Sequence, residues 1–231
     1  MQTHPNFFIV GAPKTGTTAM HTYLSEHPQV FMSPVKEPYY FGHDLIYHNY
    51  TRPTDEEYLA LFDGAGDTPC IGEASITYLV SQTAAQEIQA FNPQARILIM
   101  LRNPVDMMYS MHSQALFTQV ENVRDFEQAL ALEPERKAGR QIPDSTTITC
   151  FILYRELASY SDQIKRYFDV FGRDQVHVII YDDFKRDVAH HYQQTLEFLG
   201  IDASFTLPSF EAVNTNKRLR NNWLRGAMKN R

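Results

Sequence analysis

The sequence predicts an α/β domain of three layers, with a mainly parallel central sheet flanked by helices. Strand-length apolar runs stand at Phe7 to Val10, Arg96 to Leu101 and Val176 to Tyr181, with a weaker one at Cys70 to Gly72. Segments of helical periodicity separate these runs, a pattern that favours parallel strands covered by helices. The 231 residues, 43% of them hydrophobic, suffice for one large domain with a substantial core and leave little for a second.

In chain order, the first apolar run passes through a turn containing glycine and lysine into a helical pattern from Thr17 to Glu26. Further helices are expected over Asp55 to Phe62, Ser81 to Phe91 and Pro104 to Phe117, the last with its proline in the favoured first turn. Residues 118–148 are polar, charged and punctuated by proline, and they read as a helix plus a mobile surface loop inserted within the single domain 1–231. A long helix is expected over Thr149 to Phe171, where Tyr154, Leu157, Ile164, Phe168 and Phe171 fall at helical spacing and Gly172 supplies a stop. The Asp182-Asp183 pair after the third apolar run reads as a strand-end turn, and a helix is expected over Val188 to Leu199. Residues 214–231, with Lys217, Arg218, Arg220, Arg225, Lys229 and Arg231, are strongly basic, which suits either a solvated tail or a lid over an anionic ligand.

A formal net charge of −6 argues against wholesale coating of nucleic acid, so an anion site has to be locally basic. No stretch reaches the roughly 18 consecutive apolar residues of a spanning helix, and the opening MQTHPNFFIV lacks a basic segment followed by a long apolar core. Cys70 and Cys150 stand far apart and in no CxxC pattern, so neither a disulfide framework nor a zinc site is expected. Buried free thiols in a soluble, cytoplasmic protein fit that usage.

The turn after the first strand, "GAPKTGTT", has the G-x-x-x-x-G spacing of a phosphate-binding loop in Gly11 and Gly16, but Thr17 stands where a nucleotide-triphosphatase has its lysine. The loop lysine is Lys14, inside the turn. Backbone N–H groups at the start of the Thr17 helix still present an anion site, because orphan donors and the helix dipole point the same way. A magnesium-dependent enzyme also needs an acidic residue at a neighbouring strand end, and the Arg96 to Leu101 run ends instead in Arg102. A guanidinium there suits a terminal phosphate, although a structural ion pair is the commoner role of a strand-end arginine. Two anion grips on adjacent strand ends fit a ligand with two separated phosphates.

This combination resembles the sulfotransferases that use 3′-phosphoadenosine 5′-phosphosulfate. "GAPKTGTT" is similar to their 5′-phosphosulfate loop, and "LRNPVDMMYSMH" to their 3′-phosphate motif, an Arg-Asn-Pro with a serine eight residues after the arginine. "HPQVFMSPVKEPYYF", "GEASITYL", "LYRELASYSDQIKRYF" and "VHVIIYDDFKRD…LEFLGI" follow in that family's order, over roughly residues 6 to 217 and closest in style to bacterial and heparan-type members. The resemblance implies a P-loop-like fold, sulfuryl transfer to an acceptor hydroxyl or amine with adenosine 3′,5′-bisphosphate as product, and no required metal. It places Lys14, Thr15, Gly16, Thr17 and Thr18 around the 5′-phosphosulfate, Arg102 and Ser110 on the 3′-phosphate, Tyr154 near the nucleotide, and Lys217 and Arg218 in a closing basic loop.

A transferring sulfuryl group carries less charge than a phosphoryl group, so one mobile lysine plus backbone donors suffice at the leaving oxygen, and Lys14 is the choice for that role. The acceptor needs a base opposite the leaving group. Glu37 in "KEPYYF" matches the position of the heparan-type catalytic glutamate, with Glu73 in "GEASITYL" as the second candidate. His112 is expected to be a surface or internally satisfied histidine. Two features depart from the heparan-type pattern: Ala74 stands where a lysine is common, which leaves Lys36 to compensate, and the chain ends at Arg231 soon after its basic segment, as in a minimal form or one lacking a C-terminal segment. Tyr39, Tyr40, Phe41, Tyr47, Tyr50 and Tyr78 suit either an aromatic wall for a saccharide or flat small molecule, or simply the core. A P-loop kinase or triphosphatase, and a nucleotide-binding protein without catalysis, are the competing readings.

Overall fold

The computed structural model describes residues 4–48 and 50–211. Five strands, β1 (Phe7–Gly11), β2 (Val30–Met32), β3 (Cys70–Ala74), β4 (Arg96–Leu101) and β5 (Val176–Ile180), form one sheet in the order β2-β3-β1-β4-β5, and every pairing is parallel. Among the described residues ten α-helices accompany them: α1 (Thr17–Ser25), α2 (Asp55–Ala60), α3 (Ala84–Phe91), α4 (Pro104–Phe117), α5 (Phe126–Ala131), α6 (Glu133–Lys137), α7 (Tyr154–Leu157), α8 (Tyr160–Phe171), α9 (Tyr181–Arg186) and α10 (Val188–Leu199).

Side chains alternate across a strand, so an all-apolar strand needs cover on both sides. Phe8 and Val10 of β1, with Ile97 and Ile99 of β4, pack against Ala84, Ala85 and Ile88 of α3 and Tyr167 and Phe171 of α8. Phe7 and Ile9, with Leu98 and Met100, pack on the other side against Met20 and Leu24 of α1 and Leu196 and Leu199 of α10. These two cores make the three layers. Gly72 permits the approach of β2 and β1 over β3, since a Cβ there would meet Met32 Sδ and Phe7 Cδ1 at 2.7 Å.

β1 lies at the centre, between β3 and β4. From β1 the chain leaves through α1 on one face toward the β2 edge, whereas from β3 it crosses through α3 on the other face to β4, so the C-terminal end of β1 lies at the switch in direction where an open α/β sheet has its ligand crevice.

Several expectations change in detail. β2 is a three-residue edge strand, too short to show a period in the sequence. The helix expected over Thr149 to Phe171 is a 3-10 turn (Thr149–Ile152), α7 and α8. Its breaks are satisfied by side chains: the Glu133 carboxylate accepts the Arg155 N–H at 2.8 Å, and the Gln163 amide donates to the Glu156 carbonyl at 2.7 Å. Asp182 and Asp183 open α9 instead of forming a turn, and Asp183 pairs with Arg186. Segment 118–148, expected to be a helix plus a mobile loop, holds two helices and is pinned to the body. Arg136 and Glu121 form an ion pair at 2.7 Å with both side chains fully buried, and Glu121 also accepts the Tyr154 hydroxyl. The basic stretch 214–231, with Lys217 and Arg218, lies outside the described residues. Among the described residues, no helix is long and apolar enough to cross a membrane.

Candidate active site

Residues 12–16 form the loop from β1 to α1. Lys14 and Gly16 have left-handed backbone, with φ of 64° and 88°, and the buried Thr15 hydroxyl closes the turn on the Ala12 carbonyl at 2.7 Å. Only glycine takes such angles freely; the non-glycine residue costs about 1 kcal/mol that the surrounding fold must offset. No side chain caps α1 at Gly16 and no acidic residue lies in its first turn, so its N-terminal donors, with the half-buried Thr18, are open to an anion. Thr17 is buried.

Arg102 follows β4 and lies over the Tyr181 ring, 5.1 Å from its centroid. Its Nε is buried without a hydrogen-bond partner, and among the described residues no carboxylate forms an ion pair with Arg102 or Lys14. Asn103 then caps α4 by accepting the Val105 and Asp106 N–H groups, with Pro104 at the start of the helix. This cap sets the phase of α4. Gln114 accepts a hydrogen bond from Lys14 Nζ at 3.3 Å, and Ser110, one turn earlier and half-buried, shares its stripe of the helix.

Burial holds the Lys14 ammonium below its ordinary pKa; Arg102 pushes it the same way, and Glu37 opposes both. Lys14 is thus within electrostatic reach of both Arg102 and Glu37. A buried donor without a protein partner, two cations beside each other and an open helix N-terminus fit an anionic nucleotide.

Glu37 comes from the 33–42 segment, which passes the end of β3 and is tied to it by the Glu37 N–H donating to the Ala74 carbonyl at 2.9 Å. Glu37 and Tyr39 both have left-handed φ, 64° and 50°. That geometry brings the Tyr39 hydroxyl onto Glu37 Oε2, while the Lys36 ammonium donates to Oε1 at 2.5 Å. Burial and the adjacent carboxylate drive the Tyr39 phenol far above its usual pKa, so it remains a proton donor.

Glu73, the second candidate base, lies deep beside the site. It is fully buried, with Ser75 donating to Oε2 at 3.0 Å, Tyr58 to Oε1 at 3.2 Å and the Tyr78 hydroxyl as a third neighbour. Burial raises its carboxyl to about 7. Tyr154, expected near the nucleotide, is also fully buried, its hydroxyl bound to Glu121 and its ring against His112 and Phe126. Its helical spacing with Leu157, Ile164, Phe168 and Phe171 in the sequence fits that core position. His112 is satisfied as expected, 2.8 Å from the Val123 carbonyl.

The sequence reading missed Tyr39 as partner of Glu37, Gln114 as partner of Lys14, and Tyr181 beneath Arg102. Gln114 carried a signal, since it stands one turn beyond Ser110 on α4. The aromatic set divides. Phe41 and Tyr78 are core, whereas Tyr39, Tyr47 and Tyr50 form a mutual cluster with centroids 5.3 to 5.9 Å apart. Among the described residues, no group of three or more His, Cys, Asp and Glu side chains is arranged to hold a metal.

The Sulfotransferase domain family matches residues 4–230. Human carbohydrate sulfotransferase 15 is 33% identical over a match covering 46% of this chain and 26% of its own length. Human bifunctional heparan sulfate N-deacetylase/N-sulfotransferase 2 is 28% identical over 204 residues, 85% of this chain and 22% of its own length. This chain therefore spans about a quarter of those relatives. The crystal structure of a sulfotransferase from Alicyclobacillus acidocaldarius superposes with a TM-score of 0.81 at 36% identity, covering 93% of this chain and 87% of that one. With its loop, its strand-end arginine and its parallel sheet in that company, the chain belongs to the sulfotransferase domain family.

Proposed function

We propose that this protein moves a sulfuryl group from 3′-phosphoadenosine 5′-phosphosulfate to a hydroxyl or amine of a saccharide or small-molecule acceptor. The observation that carries the reading is the convergence of Lys14, Arg102 and Glu37 beyond the ends of β1, β4 and β3. The donor supplies an activated sulfuryl group on a phosphate leaving group. Thr15, Gly16, Thr17 and Thr18 hold its 5′ end through the α1 N-terminus, and Arg102 with Ser110 holds the 3′-phosphate. Lys14 neutralises charge developing on the bridging oxygen, and its lowered pKa fits a partly desolvated contact. Glu37 takes the acceptor proton. Lys36 and Tyr39 orient its two oxygens, and the Tyr39, Tyr47 and Tyr50 cluster offers the acceptor an aromatic wall. The carbohydrate and heparan sulfate relatives support a saccharide acceptor, and the two buried free thiols support a reducing, cytoplasmic setting.

The test uses sulfur-labelled donor and a panel of saccharide and phenolic acceptors. Label should pass to an acceptor without added magnesium. Glu37→Gln should slow transfer on the order of 10²- to 10⁴-fold, with nucleotide affinity little changed. Full activity of that variant would remove Glu37 as base. Magnesium-dependent ATP hydrolysis in place of transfer would return the chain to the triphosphatase reading.

A further inference from the structure

Arg52 lies outside every motif of the sequence, on the stretch leading into α2, and it is half-buried. Its Nη1 donates to the carbonyls of Tyr39, Tyr40 and Phe41 at 3.1, 3.0 and 2.8 Å, and its Nη2 donates to the Gly42 carbonyl. Its guanidinium also lies over the Tyr47 ring, 4.4 Å from the centroid. One side chain thus gathers four successive carbonyls, in a stretch where Glu37 and Tyr39 have left-handed φ.

The N–H side of the same turn is held by a different set. Tyr39 N–H donates to Ser75 Oγ at 3.3 Å, and those of Tyr40 and Phe41 donate to the Tyr78 hydroxyl at 3.0 and 3.2 Å. Ser75 and Tyr78 belong to the buried Glu73 cluster. The turn is therefore fixed between Arg52 on its carbonyl side and the β3 end on its amide side. A fork with several fixed donors suits this role, and a lysine, with one compact ammonium, does not reproduce it.

We propose that Arg52 is the positioning residue for Glu37: by gathering the four carbonyls of residues 39–42 it holds the left-handed backbone at Glu37 and Tyr39 and so the direction of the Glu37 carboxylate. The inference rests on the reading of Glu37 as the base. Arg52 touches no reacting group in this assignment and acts through the turn.

The test is a cycle of Arg52→Ala and Glu37→Gln in the full chain, read by kcat, by KM for the donor and by backbone amide exchange without ligand. Arg52→Ala should lower kcat on the order of 10²-fold, the cost of about 1 Å of misplacement at a reacting group. KM for the donor should stay within about twofold, since the nucleotide grips lie on other elements. In the Glu37→Gln background the same change should lower kcat by less than about twofold, because the group it positions is already gone. Exchange should rise at Tyr39, Tyr40 and Phe41 while β1 and β4 keep their protection. An equal loss in both backgrounds, or unchanged exchange in the turn, overturns the proposal. Arg52→Lys provides the same readouts if the alanine variant does not fold, and wild-type kcat from the lysine variant counts against the fork. Wild-type activity of Glu37→Gln alone would remove the base, whereas the exchange data would still report whether Arg52 holds the turn.

Discussion

Lys14 joins two neighbours that are remote in the chain, Gln114 through a hydrogen bond and Arg102 through charge. Its separation from Arg102 in role gives a prediction. Lys14→Ala should abolish sulfuryl transfer while a large part of nucleotide binding persists, and Arg102→Ala should weaken binding of the 3′-phosphorylated nucleotide selectively. Calorimetric titration with adenosine 3′,5′-bisphosphate and adenosine 5′-monophosphate separates the two; equal affinity of wild-type protein for both nucleotides would sink the Arg102 assignment. Lys14, Thr15, Gly16 and Arg102 were legible in the sequence because loop spacing and strand ends place them with few alternatives. The Glu37–Tyr39 bond was not, since it depends on two positive-φ choices, either side of Pro38, that side-chain pattern does not encode. Nor was the depth of Glu73: a carboxylate near a strand end looks the same in sequence whether it faces solvent or three hydroxyls.

At the scale of elements, 118–148 shows how composition misleads. Its charges read as a solvated surface, yet Arg136 and Glu121 are paired inside and Tyr154 completes the group. Breaking such a pair leaves an uncompensated buried charge. Arg136→Ala should therefore lower unfolding free energy by about 3–5 kcal/mol, measured by urea denaturation, and a loss below about 1 kcal/mol would show that Glu121 finds water instead. The break between α7 and α8 has the same origin. Local periodicity specifies helix through Thr149 to Phe171, but Glu133 and Gln163 satisfy the backbone where the chain turns. By contrast α4 and α10 were readable to their ends, because each carries its own N-cap, Asn103 or Asp187.

For the molecule as a whole, the parallel sheet was legible from its two-sided apolar strands, and its edge strand β2 was not, being held by register with β3 more than by its own composition. The buried Glu73 beside this sheet links stability to pH. Burial raises its carboxyl from 4.5 to about 7, so the folded state binds its proton more tightly than the unfolded chain does. That contribution is complete below about pH 4.5 and is lost as pH rises to about 7. Glu73→Gln should therefore flatten the decline in urea midpoint between about pH 4.5 and about pH 7 relative to wild type. Parallel profiles for the two proteins would mean that Glu73 ionises freely.

Tyr181, at the start of α9, meets both anion grips. A Cβ on Gly16 would come within 3.2 Å of its edge, and Arg102 lies over its face. The two grips consequently share a single rigid spacer. Under the proposed function the ring would set the spacing of the two grips, so that a ligand would be gauged first by the distance between its two anionic ends.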